Sequence, residues 1–326
     1  MISLTVTIIA FAAVFFAPLF MAGVELVRKR DAAALPLTPE YVREPRFFAR
    51  SFREKIGRLA DAPAGTPAGH VLSRVDDDVH VVDELPYQAR TTDTRVLVVR
   101  GSADYPKDVV MRDHYVVGNA SGGERLRART ILVEGDATLG PGLRVRRWID
   151  AERSLTVRRG SGLGLSGSAG GPVTLEGDVR FTRVFGTPVR TAANGGAIPA
   201  APHLPGAEIV DAESVHAADI VARGDLHIRP GARVHGSVKC HGRLVVGAGA
   251  VVDGSVTVRG NVHLGAGAQV TGHVFSEASI VLSHEARVAL EGARKSVYAA
   301  RRIVLGPEVT VWGWVFAERG GRTTGA

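Results

Sequence analysis

Six histidines in the later part of the chain are the residues best suited to acid–base chemistry: His227, His235, His241, His263, His273 and His284. A neutral imidazole near pH 7 is the most frequent general base of an enzyme. A shared site would need several of them at one position of the fold. Only His227 and His263 hold equivalent positions of the repeat described below, and Val245 lies between them. We interpret these histidines as solvated outward residues.

Other motifs that carry chemistry are incomplete. The chain has one cysteine, Cys240, so it has no internal disulfide and no zinc-type cysteine spacing. A carbohydrate-cleaving β-helix needs carboxylates clustered on one face, whereas residues 76–78 are three aspartates in a single run. The glycine-rich segment 160–171 lacks the Gly-Lys-Ser/Thr ending of a phosphate loop. We expect no catalytic residue, no cofactor and no metal ion.

The elements that would position such residues repeat every 18 residues. Residues 241–274 read HGRLVVGAGAVVDGSVTVRGNVHLGAGAQVTGHV, in which Leu244 corresponds to Val262 and Gly249 to Gly267. Within a unit, apolar residues recur every six positions, the length of one short strand plus a corner. Alternating β-branched residues and frequent glycines exclude a helix.

The repeat predicts an all-β fold, a triangular β-solenoid (β-helix) of about ten 18-residue coils, preceded by an N-terminal transmembrane helix. We place the solenoid at residues 96–318, after a linker at 61–95 and before a tail at 319–326. Breaks in the repeat predict insertions, which lie near 121–128, 190–206 and 291–300.

The amino terminus predicts a membrane anchor at residues 1–27. No charged side chain occurs before Glu25, and about 20 apolar residues span a bilayer core. The basic run Arg28-Lys29-Arg30 follows, and the positive-inside rule places this flank in the cytoplasm. We therefore expect a single-pass membrane protein with its solenoid in the cytoplasm.

A basic juxtamembrane amphipathic segment follows at residues 28–60. Phe48, Phe52, Ile56 and Leu59 form one helical stripe, which could lie on anionic lipid or pack on the main domain. The first alternative predicts a membrane-surface set: Arg28, Lys29, Arg30, Arg46, Phe48, Arg50, Phe52 and Arg53. The formal net charge is +7, and residues 25–58 hold nine basic against five acidic side chains. A nucleic-acid binder spreads basic charge over its folded surface, so we expect no nucleic acid partner.

The last coil carries aromatic residues at a solenoid end. Residues 309–326 read VTVWGWVFAERGGRTTGA. If Val311 and Val315 point inward, then Trp312, Trp314 and Phe316 share the outward side. Outward aromatics beside unpaired strand edges predict self-association through these three residues, unless the 291–300 insertion or the tail covers them.

The repeats GRLVVGAGAVVDGSV and GNVHLGAGAQVTGHV resemble those of the bactofilins, bacterial polymer-forming cytoskeletal proteins. The resemblance is clearest over 222–290 and extends more weakly to about 137 and 318. It implies a β-helical core that stacks end to end into filaments without nucleotide, membrane association, and roles in cell shape or in positioning cell-wall enzymes. The longer solenoid, its insertions and the full transmembrane helix depart from the family's pattern.

Two alternatives remain open. Residues 246–250 and 264–268 also fit the hexapeptide repeat of acyltransferases, which would need a histidine base at an intersubunit cleft. A monomeric, membrane-tethered scaffold would keep the same fold with its end aromatics covered. We expect a structural protein and not an enzyme, with three kinds of partner: itself as a homopolymer, inner-membrane lipid, and cell-wall or envelope proteins.

Overall fold

The computed structural model describes residues 44–57, 79–85 and 92–325. The anchor predicted at 1–27 lies outside these ranges, as do Arg28, Lys29 and Arg30 and most of the predicted linker. In the described ranges all regular structure is β-strand except one α-helix, α1 (Phe47–Ile56). No helix among these residues is long and apolar enough to cross a membrane.

The strands wind into a β-solenoid of about 13 turns rather than the ten predicted, and it consists of two halves. The first half comprises β1 (Val79–Val82), β2 (Thr92–Val99), β3 (Ala103–Tyr105), β4 (Val110–Val116), β5 (Ala120–Gly122), β6 (Arg127–Val133), β7 (Ala137–Leu139), β8 (Arg144–Ala151), β9 (Leu155–Val157), β10 (Ser166–Ala169), β11 (Val173–Leu175) and β12 (Arg180–Thr191).

The second half begins with β13 (Glu208–Val210), β14 (Val215–His216), β15 (Ile220–Ala222), β16 (Leu226–Ile228), β17 (Arg233–Val234), β18 (Val238–Cys240), β19 (Leu244–Val246), β20 (Val251–Val252) and β21 (Val256–Val258). It continues with β22 (Val262–Leu264), β23 (Gln269–Val270), β24 (Val274–Ser276), β25 (Ile280–Leu282), β26 (Arg287–Val288), β27 (Lys295–Ala299), β28 (Ile303–Leu305) and β29 (Thr310–Thr323).

The second half confirms the 18-residue period. Each coil contributes three short strands, and each strand pairs in parallel with its equivalent one coil away. Leu226 lies opposite Leu244, followed in the same row by Val262 and Ile280. These four inward side chains are at most 1% exposed, because each row of equivalents stacks along the axis of the solenoid.

The first half uses shorter coils at its start. Ala103 pairs with Ala120, which pairs with Ala137, so the period there is 17 residues (120 − 103 and 137 − 120). The prediction of an insertion at 121–128 is wrong, because Ser121 lies in β5 and Arg127 begins β6. The solenoid also starts at β1, before the predicted residue 96.

Two further boundaries differ from the sequence prediction. Val274 pairs with Val297, a spacing of 23 residues (297 − 274), so five extra residues precede β27. Residues 295–299 of the predicted 291–300 insertion are therefore a strand of the coil. The predicted tail at 319–326 belongs largely to β29, which pairs with β28 as far as Thr323.

The two halves meet at their carboxy-terminal coils. Strand β12 pairs antiparallel with β29 around the coil, with Val184 opposite Val315 and Val189 opposite Val311. All four valines are at most 1% exposed and belong to one continuous core. The chain therefore joins two solenoid ends internally, with their directions opposed.

The connection between the halves runs back along the second half. Gly195 lies against Pro307 near the junction, whereas His203 lies near His227 of β16, towards the far end. On the same face, Val245 and His263 point outward but are only 4% and 7% exposed. We infer that residues 192–207, most of the insertion predicted at 190–206, cover this face.

Helix α1 packs on an outward face of the first half. Its buried residues Ala49 and Ile56 form a second apolar cluster with outward side chains that include Val98, Tyr115 and Leu132. The helix therefore lies where consecutive coils have apolar residues at outward positions.

Candidate assembly surfaces

The aromatic residues predicted for self-association lie beside the internal junction. Trp312, Trp314 and Phe316 are all half-buried, while Val311 and Val315 point inward as expected. The ring centres of Trp314 and Phe185 of β12 are 5.3 Å apart. Strand β12 pairs with the open edge of β29, so a second chain could contact this coil only through its side chains. Self-association through these three aromatics stays a prediction.

The coil formed by β13, β14 and β15 has an open edge. Within the described ranges these strands pair on one side only, with β16, β17 and β18. The Glu208 N–H donates to the Asp225 carbonyl, and the Val210 carbonyl accepts from the Arg229 N–H. In a parallel ladder the residue between two bonded residues directs its N–H and C=O to the other side, so those of Ile209 face the open edge.

The same alternation applies in the other two strands of this end coil. The carbonyls of Ser214 and His216 accept from β17 and the next corner, which leaves the backbone groups of Val215 on the open side. In β15 the bonds fall on Ile220 and Ala222, which leaves those of Val221. One residue on each of the three faces therefore presents a backbone donor and acceptor that no described residue pairs.

These three residues are also exposed apolar side chains. Ile209, Val215 and Val221 are 53%, 66% and 64% exposed. An exposed edge strand with apolar side chains favours pairing with another chain. Towards the interior, the half-buried Val210 and Ile220 complete the core of the end coil. The end coil thus combines open strand edges with apolar side chains.

The sequence contained a weak signal for this end coil. Glu208 and His216 stand opposite Leu226 and Val234, at positions that are apolar in the next coil. Polar residues at inward positions are tolerated where no further coil of the same chain stacks above them. Glu208 accepts a hydrogen bond from the Arg223 N–H at 3.2 Å, which provides its carboxylate with a partner.

An electrostatic clasp holds the start of α1 on the first half. The Arg46 guanidinium donates to Asp150 at 2.6 and 2.8 Å and to Glu152 at 2.8 Å. Arg53 binds Glu152 at 2.6 Å and Glu134 at 3.0 Å. The Asp150 side chain is 1% exposed, so Arg46 neutralises a carboxylate that water does not reach.

The carboxylates of the clasp have opposite pKa shifts. Burial raises the pKa of Asp150 despite the hydrogen bonds and charge of Arg46, which favour the ionised form. The pKa of Glu152 is lowered to about 2, mainly because Arg46 and then Arg53 donate to it. Burial and a bond to the Glu134 carboxylate raise the pKa of Tyr115.

The predicted membrane-surface residues of α1 divide into two groups. Arg46 and Arg53 form the clasp, and the Phe52 ring packs edge-on against Trp148 with ring centres 5.5 Å apart. The structure therefore supports packing on the main domain for these three residues. Phe48 is 59% exposed and Arg50 is exposed, so a lipid role for them stays a prediction.

The histidines singled out from the sequence have separate surroundings. Burial lowers the pKa of His263, whose Nε2 lies 3.0 Å from the Ser283 hydroxyl. His235 lies 2.7 Å from Asp253, and His273 Nδ1 accepts from a backbone N–H. His235, His263 and His273 thus have different partners, and these contacts do not form a shared site.

Comparison with protein families matches residues 206–294 to the model described as "Bactofilin: Polymer-forming cytoskeletal". The match covers β13 to β26 of the second half and does not extend to the first half. No curated protein and no solved structure gives a significant match. The family match and the three-stranded coils support a bactofilin domain in the second half, of the kind described as polymer-forming.

Proposed function

We propose that this chain is a membrane-tethered, bactofilin-like structural protein that assembles end to end without nucleotide through the coil β13–β15. The observation that carries this proposal is the open edge of that coil, with three exposed apolar residues beside unpaired backbone groups. The family match to the same region, residues 206–294, supports polymer formation.

The internal junction supports the geometry of such an assembly. Strands β12 and β29 demonstrate that two coil ends of this chain can stack antiparallel around the whole coil. Two copies joined through β13–β15 would form a two-fold contact in which the same surface meets itself. Because one chain has one such coil, a filament longer than a pair must also use the β1 end of the first half.

We propose that residues 1–27 anchor the assembly in the inner membrane with the solenoid in the cytoplasm. The support is the apolar sequence before Glu25 and the basic run Arg28-Lys29-Arg30 after it. Anchoring at one point of each chain would restrict the polymer to the membrane plane. Such a polymer could scaffold cell-wall or envelope proteins.

The edge of β13–β15 is tested with the full chain in non-ionic detergent. Val215→Lys with Val221→Lys places charges on the open edge, and Ile209→Pro removes its free N–H. The matched control carries Thr257→Lys and Gln269→Lys, which lie at outward positions of inner coils. Electron microscopy and sedimentation should show assemblies in the wild type and control, and their loss in both edge variants.

Three results would contradict this proposal in different ways. Wild-type chains that stay single at all concentrations would leave a monomeric tethered scaffold. Assembly could survive both edge variants and be lost when Trp312, Trp314 and Phe316 become serine. That result would place the contact at the aromatic coil instead. Compact trimers would favour the acyltransferase alternative.

A further inference from the structure

Seven exposed arginines from both halves gather on one face around the junction: Arg127, Arg144, Arg146, Arg180, Arg302, Arg319 and Arg322. Within residues 44–57, 79–85 and 92–325, none of the seven forms a salt bridge with a carboxylate. Elsewhere on the surface some arginines are paired with carboxylates, as Arg125 is with Asp108 at 2.7 Å. This face therefore carries a concentrated positive charge.

Four of these arginines form a row along the solenoid axis. Arg127 lies directly opposite Arg144, and Arg144 pairs through Gly162 with Arg180. Arg180 then lies opposite Arg322 across the junction. With strand spacings of about 4.8 Å, the row extends over roughly 20 Å and connects the two halves.

The row stands in a trough. One depression of about 500 Å³ lies over Val110, Met111, Ala128 and Val145. A second, of about 690 Å³, continues over Gly162, Gly164 and Gly321. Both depressions are lined by Arg144 and Val145, so they lie next to each other in the trough. Glycines in its floor allow a ligand to approach the backbone closely.

We propose that this trough binds the sugar–phosphate backbone of a nucleic acid without regard to base sequence. Guanidinium groups stay protonated and match phosphate oxygens with two parallel hydrogen bonds. A row of arginines in a channel fits a linear polyanion, whereas a flat bilayer would reach only its rims. Among the described residues that line it, the one aromatic residue, Phe181, is 3% exposed, so it offers no ring for base stacking and the contact is to phosphate.

The trough is built from residues apart from the basic segment next to the predicted anchor. The sequence concentrates basic charge in residues 25–58, next to the predicted anchor. The trough instead combines arginines that are far apart in the chain, such as Arg127 and Arg322, and only the antiparallel junction brings their strands into one sheet. Binding to the trough does not depend on end-to-end assembly.

The test measures binding of a fluorescent 24-base-pair duplex DNA to the full chain in non-ionic detergent at several salt concentrations. The ladder variant carries Arg127→Gln, Arg144→Gln, Arg180→Gln and Arg322→Gln. The control removes the same charge from exposed residues outside the trough: Arg158→Gln, Arg259→Gln, Arg287→Gln and Arg294→Gln. Gly162→Glu, which places a carboxylate between Arg144 and Arg180, is a single-residue alternative should the fourfold variant misfold.

We expect the ladder variant to bind at least about tenfold more weakly, and the slope of log affinity against log salt to fall by about 3.6 if all four arginines contact phosphates. The control should lose less than about threefold, through long-range charge alone. Gly162→Glu should weaken binding more than the control does.

Three outcomes would overturn the proposal. The wild type could fail to bind the duplex, or the ladder and control variants could lose affinity equally. Micelles containing phosphatidylglycerol could also displace the duplex at a lower phosphate concentration than unlabelled duplex does. That last result would assign the trough to anionic lipid instead.

Discussion

Removing the guanidinium of Arg46 should release α1 from the solenoid. In Arg46→Gln, the Asp150 carboxylate keeps only its hydrogen bond from the Ser168 hydroxyl at 2.6 Å. Deleting one partner of a buried ion pair costs about 3–5 kcal/mol. Because Arg46 is 19% exposed and Glu152 is 43% exposed, we expect the lower end, about 3 kcal/mol.

The free-energy loss in Arg46→Gln cannot exceed the free energy of docking α1 onto the solenoid. Once α1 leaves, water reaches Asp150 and the unpaired carboxylate no longer carries a penalty. The docking energy comes largely from Ala49, Ile56 and Phe52, and full burial of a large apolar side chain contributes about 1.5–3 kcal/mol. The variant should therefore open locally, with the solenoid still folded.

Hydrogen exchange of the amides of residues 47–56 measures this opening directly. Arg46→Gln should lose protection equivalent to about 3 kcal/mol, and Asp150→Asn in the same chain should restore part of it by removing the buried charge. Lys55→Gln is the control, since Lys55 is exposed on the same helix and should change protection by less than about 0.5 kcal/mol.

The effect should depend on pH in a defined direction. The folded pKa of Asp150 lies above its ordinary value, so the ionised form is penalised above that pKa and the penalty disappears as the pH falls through it. The deficit of Arg46→Gln should be largest near neutral pH and shrink as the pH falls towards and through the pKa of Asp150. Equal protection in Arg46→Gln and Lys55→Gln would refute the clasp, and a deficit that grows towards low pH would refute its electrostatic origin.

Three further predictions concern the solenoid, each checked by thermal unfolding of the full chain. Gly249→Ala, at φ +66° with no atom near the added Cβ, should lower the free energy of unfolding by about 1–2 kcal/mol. Gly313→Ala should lower it by more, because at φ +131° its Cβ would also lie 2.2 Å from the Lys295 carbonyl oxygen; equal losses would contradict this. Val184→Ala and Val315→Ala should each cost about 2 kcal/mol, with a double variant that is less than additive because they face each other across the junction; strict additivity would argue against that contact. Since burial lowers the pKa of His263, stability should fall as the pH drops below about 6.5, and His263→Gln should remove part of that fall; an unchanged pH profile would show that His263 is solvated.

Periodicity accounts for the part of the fold that the sequence predicts well. In parallel coils each residue contacts its equivalent one period away, so Leu244 and Val262 identify both the register and the inward side. The inward positions of Val311 and Val315 follow from the same alternation. The 17-residue coils around Ala120 were not predicted, because the 18-residue period used to align the repeats does not hold there.

The junction and the surfaces next to it could not be predicted in this way. Antiparallel pairing of β12 with β29 joins strands that are distant in the chain, and the repeat pattern carries no signal of this pairing. Docking of α1 depends on apolar outward residues such as Leu132, which in the sequence resemble part of an ordinary core strand. The arginine trough gains Arg322 only where β29 pairs with β12.

The central claim, that one chain joins its own two carboxy-terminal coils, is tested most directly by a disulfide between Arg183→Cys and Phe316→Cys in a Cys240→Ala background. These residues lie opposite each other across β12 and β29, and opposed residues of antiparallel strands have the separation that a disulfide needs. Oxidation of dilute full-length chain should give a monomer that migrates faster on a non-reducing gel and returns to its normal position on reduction. Disulfide-linked dimers or larger species as the main product would mean that the two coils join different chains, and would contradict the account.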